Sequence, residues 1–383
     1  MTYTLYGMAA SLYTARARSY MRTNGVPFVE IKAGGTEFIE QIVPQIGRWI
    51  IPVMKTPQGT IIQDGADIID HLDAAGFSKW PIYPDSHALR VLAHLFELFG
   101  AHGLLRPAMH YRWNFDAVNL PFLRNAFRDV LPSGLPLEAE DAVFEQASGR
   151  MRQATIAFGV NPETFALVEE RYRLFLDLFE KHLRAQPFIL GGHPTIADYG
   201  MIGSMHAHLG RDPAPLHLMQ TAAPNVFRWV ERMNMTEDFV DESFANAGGK
   251  LVDPSDLPET LRSILRFIAD DYLVEITAHV GHANAWLAEQ EPAALDAACE
   301  AVVQAKILGL APFEWHGKQI ATVVLPYRFH LLQRLQDAYS AMPGPEKPGI
   351  EALFEETGLA ELLSLRTSRR LQRIDNREVW GRQ

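Results

Sequence analysis

Ile50-Ile51-Pro52-Val53-Met54-Lys55-Thr56-Pro57-Gln58-Gly59-Thr60-Ile61-Ile62-Gln63-Asp64-Gly65-Ala66-Asp67-Ile68-Ile69-Asp70-His71-Leu72 is the stretch that decides the fold. Two short apolar runs flank Pro57-Gln58-Gly59, whose residues favour a tight turn, so the segment reads as a hairpin. A helix from about Ala66 to Leu72 follows it. Pro52 has no N–H for a ladder, which places it at the start of a strand or on an edge. Upstream, Tyr3 to Gly7 read as a strand, and Ser11, Tyr13 and Thr14 lead into helical spacing from Ala15 to Met21. Asn24-Gly25 breaks that helix before Val26-Pro27-Phe28-Val29 starts a second strand, which completes a βαβ unit.

Downstream the period changes. From about Ser86 to Met233 the chain reads as long helices without a strand, clearest at Leu89 to Leu105, Phe165 to Leu183 and Ala197 to His208. Thr195-Ile196-Ala197-Asp198 has capping-box spacing, with Asp in the place of Glu or Gln. Asp238 to Pro258, with Gly248-Gly249 and Pro254, reads as a linker. Helices are predicted near Thr260 to Trp286 and Tyr327 to Ala341, with a hairpin over Phe313 to Leu325 turning on His316-Gly317-Lys318. At about 100–200 residues per domain, 383 residues suit this division into an α/β unit (1–80), an all-helical unit (86–237), a linker (238–258) and a mostly helical extension (259–383).

A net charge of -11 argues against general binding to nucleic acid or to an anionic membrane. Arg16 and Arg18 interrupt the place where a secretory signal has its apolar stretch, and no apolar run approaches the roughly 18 residues of a span, so a cytoplasmic location is expected. Cys299 is the single cysteine, which excludes an intrachain disulfide, a thiolate metal cluster and a two-cysteine redox motif.

Over roughly residues 1–235 the sequence resembles the glutathione transferase superfamily. The residues that carry the resemblance are Leu5-Tyr6-Gly7 with Ser11, Asn24-Gly25-Val26-Pro27-Phe28, Ile51-Pro52-Val53, Asp64-Gly65 and Ile68-Ile69-Asp70-His71-Leu72. Pro187-Phe188-Ile189-Leu190-Gly191-Gly192, Pro194-Thr195-Ile196-Ala197-Asp198, Pro224, Val226 and Trp229 to Met233 continue it. The resemblance implies a thioredoxin-like α/β domain that binds glutathione as co-substrate, an all-α domain that shapes a pocket for a hydrophobic electrophile, and a homodimer.

Carried onto this chain, the resemblance places the catalytic hydroxyl at Ser11, where a helix N-terminus favours a thiolate. The same Ser11 reads from sequence as a simple N-cap. Tyr6 occupies the strand position of tyrosine-type enzymes, and Tyr13 and Thr14 are further hydroxyls one turn away. A cis Ile51-Pro52 bond would turn the Val53 backbone toward an extended peptide. Asp64 stands where the family has an acceptor for the γ-glutamyl amino group, and Gly65 stands where it has a serine for the carboxylate, so one hydrogen bond of about 1.5–3 kcal/mol would be missing. His102, Arg106, His110, Tyr111 and Trp113 are expected at the co-substrate pocket, the first three as a stripe at i, i+4 and i+8.

The extension matches no transferase class. Glu275, His279 and His282 lie at i, i+4 and i+7, a spacing that can ligate a metal but more often builds a hydrogen-bonded interface, and no metal is assigned. The first reading is a serine-type transferase that joins glutathione to a hydrophobic electrophile. The alternative is a non-catalytic binding or scaffold protein with a weak or vestigial glutathione site.

Overall fold

The computed structural model describes residues 2–128, 131, 135–290 and 307–381; Cys299 lies outside them. Strand β1 (Tyr3–Gly7) pairs in parallel with β2 (Phe28–Lys32) and antiparallel with β3 (Val53–Lys55), which pairs antiparallel with β4 (Ile61–Gln63). The sheet order is therefore β2-β1-β3-β4. Helix α1 (Leu12–Thr23) joins β1 to β2, opened by Ser11, whose Oγ accepts from the Thr14 amide at 3.1 Å. It closes at Asn24, with Gly25 at φ +64° where a side chain would be strained. β2 starts two residues later than the sequence suggested, because Pro27 cannot donate to a ladder. A π-turn over Phe38–Ile42 and the short α2 (Val43–Ile46) precede a cis Ile51-Pro52 peptide, and α3 (Gly65–Ala74) closes the unit.

The second unit comprises α4 (His87–Leu98), a π-turn over Phe99–Gly103, α5 (Leu105–Trp113), α6 (Asp116–Arg128), α7 (Leu137–Ile156), α8 (Phe165–Leu183), α9 (Ile196–Ala207), α10 (Pro213–Ala222) and α11 (Pro224–Arg232). Helix α9 is its axis. The Asp198 carboxylate accepts from the amides of Ile189 and Thr195 and from Trp229 Nε1 at 2.9–3.0 Å, so the predicted capping box is present. A Cβ on Gly100 would lie 2.6 Å from the Gly200 carbonyl oxygen, so these two backbones meet where only glycine fits. The stretch His87–Trp113 has the length and mean hydropathy of a membrane span, contrary to the sequence expectation, but 83% of its most apolar window is buried inside the protein.

The segment expected as a linker is tied down: the Val252 amide donates to the Leu190 carbonyl and the Gly192 amide to the Lys250 carbonyl. Helix α12 (Glu259–Ala288) then packs on α8, with Phe267 against Phe99 and Phe175. The hairpin β5 (Leu310–Trp315) and β6 (Lys318–Val323) turns at His316-Gly317, both at positive φ. Helix α13 (Tyr327–Ser340) crosses α4, and α14 (Lys347–Thr357) packs on α12. A last hairpin, β7 (Leu371–Ile374) and β8 (Arg377–Trp380), turns at Asp375-Asn376 with φ 48° and 63°. This hairpin escaped the sequence reading, which covered helices α6, α7 and α14 only by taking their segments as helical.

Candidate functional site

Asp64 has φ 100° and caps α3, its Oδ1 accepting from the Ala66 amide at 2.7 Å. The same oxygen accepts from the Tyr327 hydroxyl at 2.6 Å. Burial pushes the Asp64 carboxyl up, but Arg373, Arg16 and the Tyr327 hydroxyl outweigh it and hold the group below its ordinary range. Asp64 is thus an anion with its charge already answered.

A cavity of about 220 Å³ opens beside it. Tyr13, Ile50, Ile51 and His102 form one wall; Leu325, Pro326, Tyr327, Leu371 and Trp380, all from the extension, form the other. His102 is 3% exposed, and neither ring nitrogen has a partner. Burial, then Arg328 and Arg16, lower its pKa well below the histidine range, so the ring is neutral. Arg48 on the rim donates to Glu378 at 2.7 and 3.1 Å and to the Gln63 side chain at 3.3 Å.

The cavity thus lies between the α/β unit, the π-turn that follows α4, and the extension. Residues 5–79 match the family model described as glutathione S-transferase, N-terminal domain, and residues 162–232 match glutathione S-transferase, C-terminal domain. Both glutathione S-transferase domain models are thus matched, in chain order. A glutathione S-transferase of Ceriporiopsis subvermispora, solved in complex with glutathione, is 20% identical over 62% of this chain and 99% of its own, with a TM-score of 0.41. Glutathione transferase GSTFuA3 of Phanerochaete chrysosporium is 15% identical over 63% and 99%, with a TM-score of 0.42. FzlA from C. crescentus is 15% identical over 61% and 90%, with a TM-score of 0.36. No curated protein matches the sequence.

The structure places several of the residues expected at the site away from this cavity. Tyr6 is a core residue, packed on Phe38, and its phenol is raised by burial and by Glu37, so it presents no hydroxyl to the cavity. Ser11 caps α1 and does not line the cavity, whereas the half-exposed Tyr13 does. Pro52 is cis as expected, but Val53 is fully buried and in register with Tyr6 on one side and Gln63 on the other, so its backbone is part of the sheet rather than free. Gly65 lies beneath Arg16; a Cβ there would stand 3.3 Å from Arg16 Cδ.

Of the five expected pocket residues, His102 alone lines the cavity. Arg106 donates to Glu275 at 2.6 Å and lies over Trp315; His110 bonds to Glu169 at 3.1 Å; Tyr111 stacks on Phe115; Trp113 is buried against Phe127. The reason is the π-turn at Phe99–Gly103. It breaks the 3.6-residue phase on which the stripe His102, Arg106, His110 depended. The extension's Glu275 and His279 are likewise spoken for: Glu275 accepts from Arg106 and Arg328, and His279 bonds to Thr322 and Arg328, while His282 bonds to the Leu308 carbonyl. Sequence reasoning missed Tyr327, Arg373, Asn376 and Glu378. The Asp375-Asn376 dipeptide between two short alternating runs was the one local signal for their hairpin.

Proposed function

We propose that this protein conjugates the thiolate of glutathione to an apolar electrophile, with a hydroxyl from the first turn of α1 as the thiolate's donor. One observation carries the reading: the N-terminal turn of α1, the cis-proline loop and the Asp64 cap of α3, all within the segment that matches the transferase N-terminal domain, converge on a single cavity. The resemblance favours Ser11 as the donor and the cavity lining favours Tyr13. In either case the amino end of the 12-residue α1 adds partial positive charge, which stabilises a sulfur anion. The thiol proton leaves to water, the sulfur lone pair forms the new S–C bond, and the electrophile's leaving group or π pair takes the displaced electrons. The apolar wall of Ile50, Leu325, Leu371 and Trp380 suits an aromatic co-substrate.

The test is turnover of glutathione with 1-chloro-2,4-dinitrobenzene, together with the ultraviolet absorbance of enzyme-bound thiolate as a function of pH. Ser11→Ala or Tyr13→Phe should lower kcat/KM at least about tenfold, near 1.4 kcal/mol, and raise the pH at which the thiolate forms. Wild-type activity untouched by either substitution removes the α1 hydroxyl from the mechanism. Absence of both turnover and glutathione binding in the wild type refutes the function.

A further inference from the structure

The β7–β8 hairpin has two ends with different attachments. Its base belongs to the extension: the Leu371 amide donates to Gln333 Oε1 at 2.8 Å, Gln333 Nε2 donates to the Leu371 carbonyl at 2.7 Å, and the Trp380 ring lies 6.1 Å from Phe329. Its tip reaches onto the α/β domain. Asn376 Oδ1 accepts from the Gln63 amide at 2.8 Å while its Nδ2 donates to the Ile61 carbonyl at 3.3 Å, so one side chain covers the edge of β4 as a further strand would. Arg373 donates to the Gln63 carbonyl at 2.9 Å and to Asp67 at 2.7 Å, and Glu378 takes Arg48.

Beside this tip lies Asp64, the group that the resemblance assigns to a γ-glutamyl peptide. Asp64, the acceptor for its ammonium, is held by Tyr327 and faces the guanidinium of Arg373, which repels a second cation. Arg48 is spent on Glu378. The closed joint is also poorly satisfied: both His102 nitrogens, Arg16 Nε, Arg48 Nε and His330 Nε2 are buried without a partner around it. Buried polar atoms are nearly always paired, so orphans gathered at one seam mark a contact that can be exchanged for another.

We infer that the tip of the β7–β8 hairpin is a built-in closure of the glutathione site, which must lift from β4 and carry the Arg373 charge away from Asp64 before the tripeptide's γ-glutamyl end can bind. The inference rests on the glutathione reading above. Closure and ligand compete for the same groups, so the apparent affinity for glutathione is reduced by the fraction of molecules that are closed. Because Leu371 and Trp380 stay anchored on α13, the movement is confined to Gln372–Val379.

The experiment uses the full chain and its Arg373→Ala/Asn376→Ala variant, with Asn376→Ala alone as the milder case should the double variant fail to fold. Glutathione affinity is measured by calorimetry, and amide exchange over 371–380 is followed with and without glutathione. Expected are a dissociation constant at least about fivefold lower in the variant and faster exchange of the wild-type tip when glutathione is added. Equal affinity of wild type and variant, with tip protection unchanged by glutathione, overturns the closure while leaving the functional reading intact. Absence of glutathione binding in every form overturns the functional reading and the closure together.

Discussion

The Tyr327 hydroxyl donates to the Asp64 carboxylate across 2.6 Å, joining residues 263 positions apart. The bond fastens the first turn of α13 to the cap of α3, and so makes the extension part of the α/β domain's site. A hydrogen bond to a charged acceptor contributes about 1.5–3 kcal/mol. Tyr327→Phe should therefore lower unfolding stability by about 1–2 kcal/mol, read from urea denaturation at neutral pH. Asp64 has a depressed folded pKa, so its contribution is full above the unfolded value of about 3.9 and is lost as pH falls through the folded value. The gap between wild type and variant should accordingly be constant from neutrality to about pH 4 and narrow only below it.

Glu97 is the second tie between the extension and the transferase domains. It is fully buried, bonded to Arg16 of α1 and His94 of α4, and 3.2 Å from Arg334 of α13. Burial raises its carboxyl, but Arg334 and Arg16 outweigh this and hold the pKa well below the ordinary range. Glu97→Gln leaves Arg16 buried without a counter-charge and should cost roughly 3–5 kcal/mol in chemical denaturation. A Glu97→Gln/Arg16→Met pair should recover more than half of that loss. Additive losses would show that the two side chains are not coupled.

His182 gives the fold an acid-sensitive element that lies away from the cavity. Its Nε2 faces the Ile189 carbonyl at 2.8 Å, so that nitrogen carries the proton and donates, while Nδ1 takes the Thr260 hydroxyl at 2.9 Å. Burial lowers its pKa to about 4, partly opposed by the Ile189 carbonyl. The unfolded chain takes up this proton near pH 6.5, so between about 6.5 and 4 it binds more protons than the folded one and stability falls as pH falls. His182→Gln retains a donor and an acceptor without a titration. The variant should lose less stability than the wild type over that window, by up to about 1.4 kcal/mol per pH unit at the steepest point. Parallel pH profiles would exclude His182 as the source.

Local patterns were legible in the sequence and long-range meetings were not. The Ser11 cap, the Asn24-Gly25 stop, the hairpin around Pro57-Gln58-Gly59 and the Thr195–Asp198 box all depend on neighbours within a few residues, and all are present. The stripe from His102 to His110 failed because a π-turn changes the phase, and nothing in Phe99-Gly100-Ala101 announces that turn by periodicity alone. The Glu275, His279 and His282 spacing was read correctly as one helix face, but the partners that answer Glu275 and His279 arrive from α5, β6 and α13. Asn376 meets Gln63 across 313 positions, a pairing that no window of sequence contains.

Gly65 tests the two levels of reading against each other. From the family resemblance, Gly65→Ser restores a donor for the γ-glutamyl carboxylate and tightens glutathione binding. The structure points the other way. A Cβ at Gly65 meets Arg16 Cδ at 3.3 Å, tighter than ordinary packing, and touches the Tyr13 carbonyl oxygen at 3.4 Å, so the new side chain is placed against α1. Arg16 cannot easily yield, because its guanidinium is paired with buried Glu97. Overpacking of this kind costs on the order of 1 kcal/mol. Gly65→Ser should therefore lower the denaturation midpoint by that amount and leave the glutathione dissociation constant within about twofold of wild type. A gain of tenfold, about 1.4 kcal/mol, would show that Arg16 moves aside and that the carboxylate site lies where the resemblance puts it.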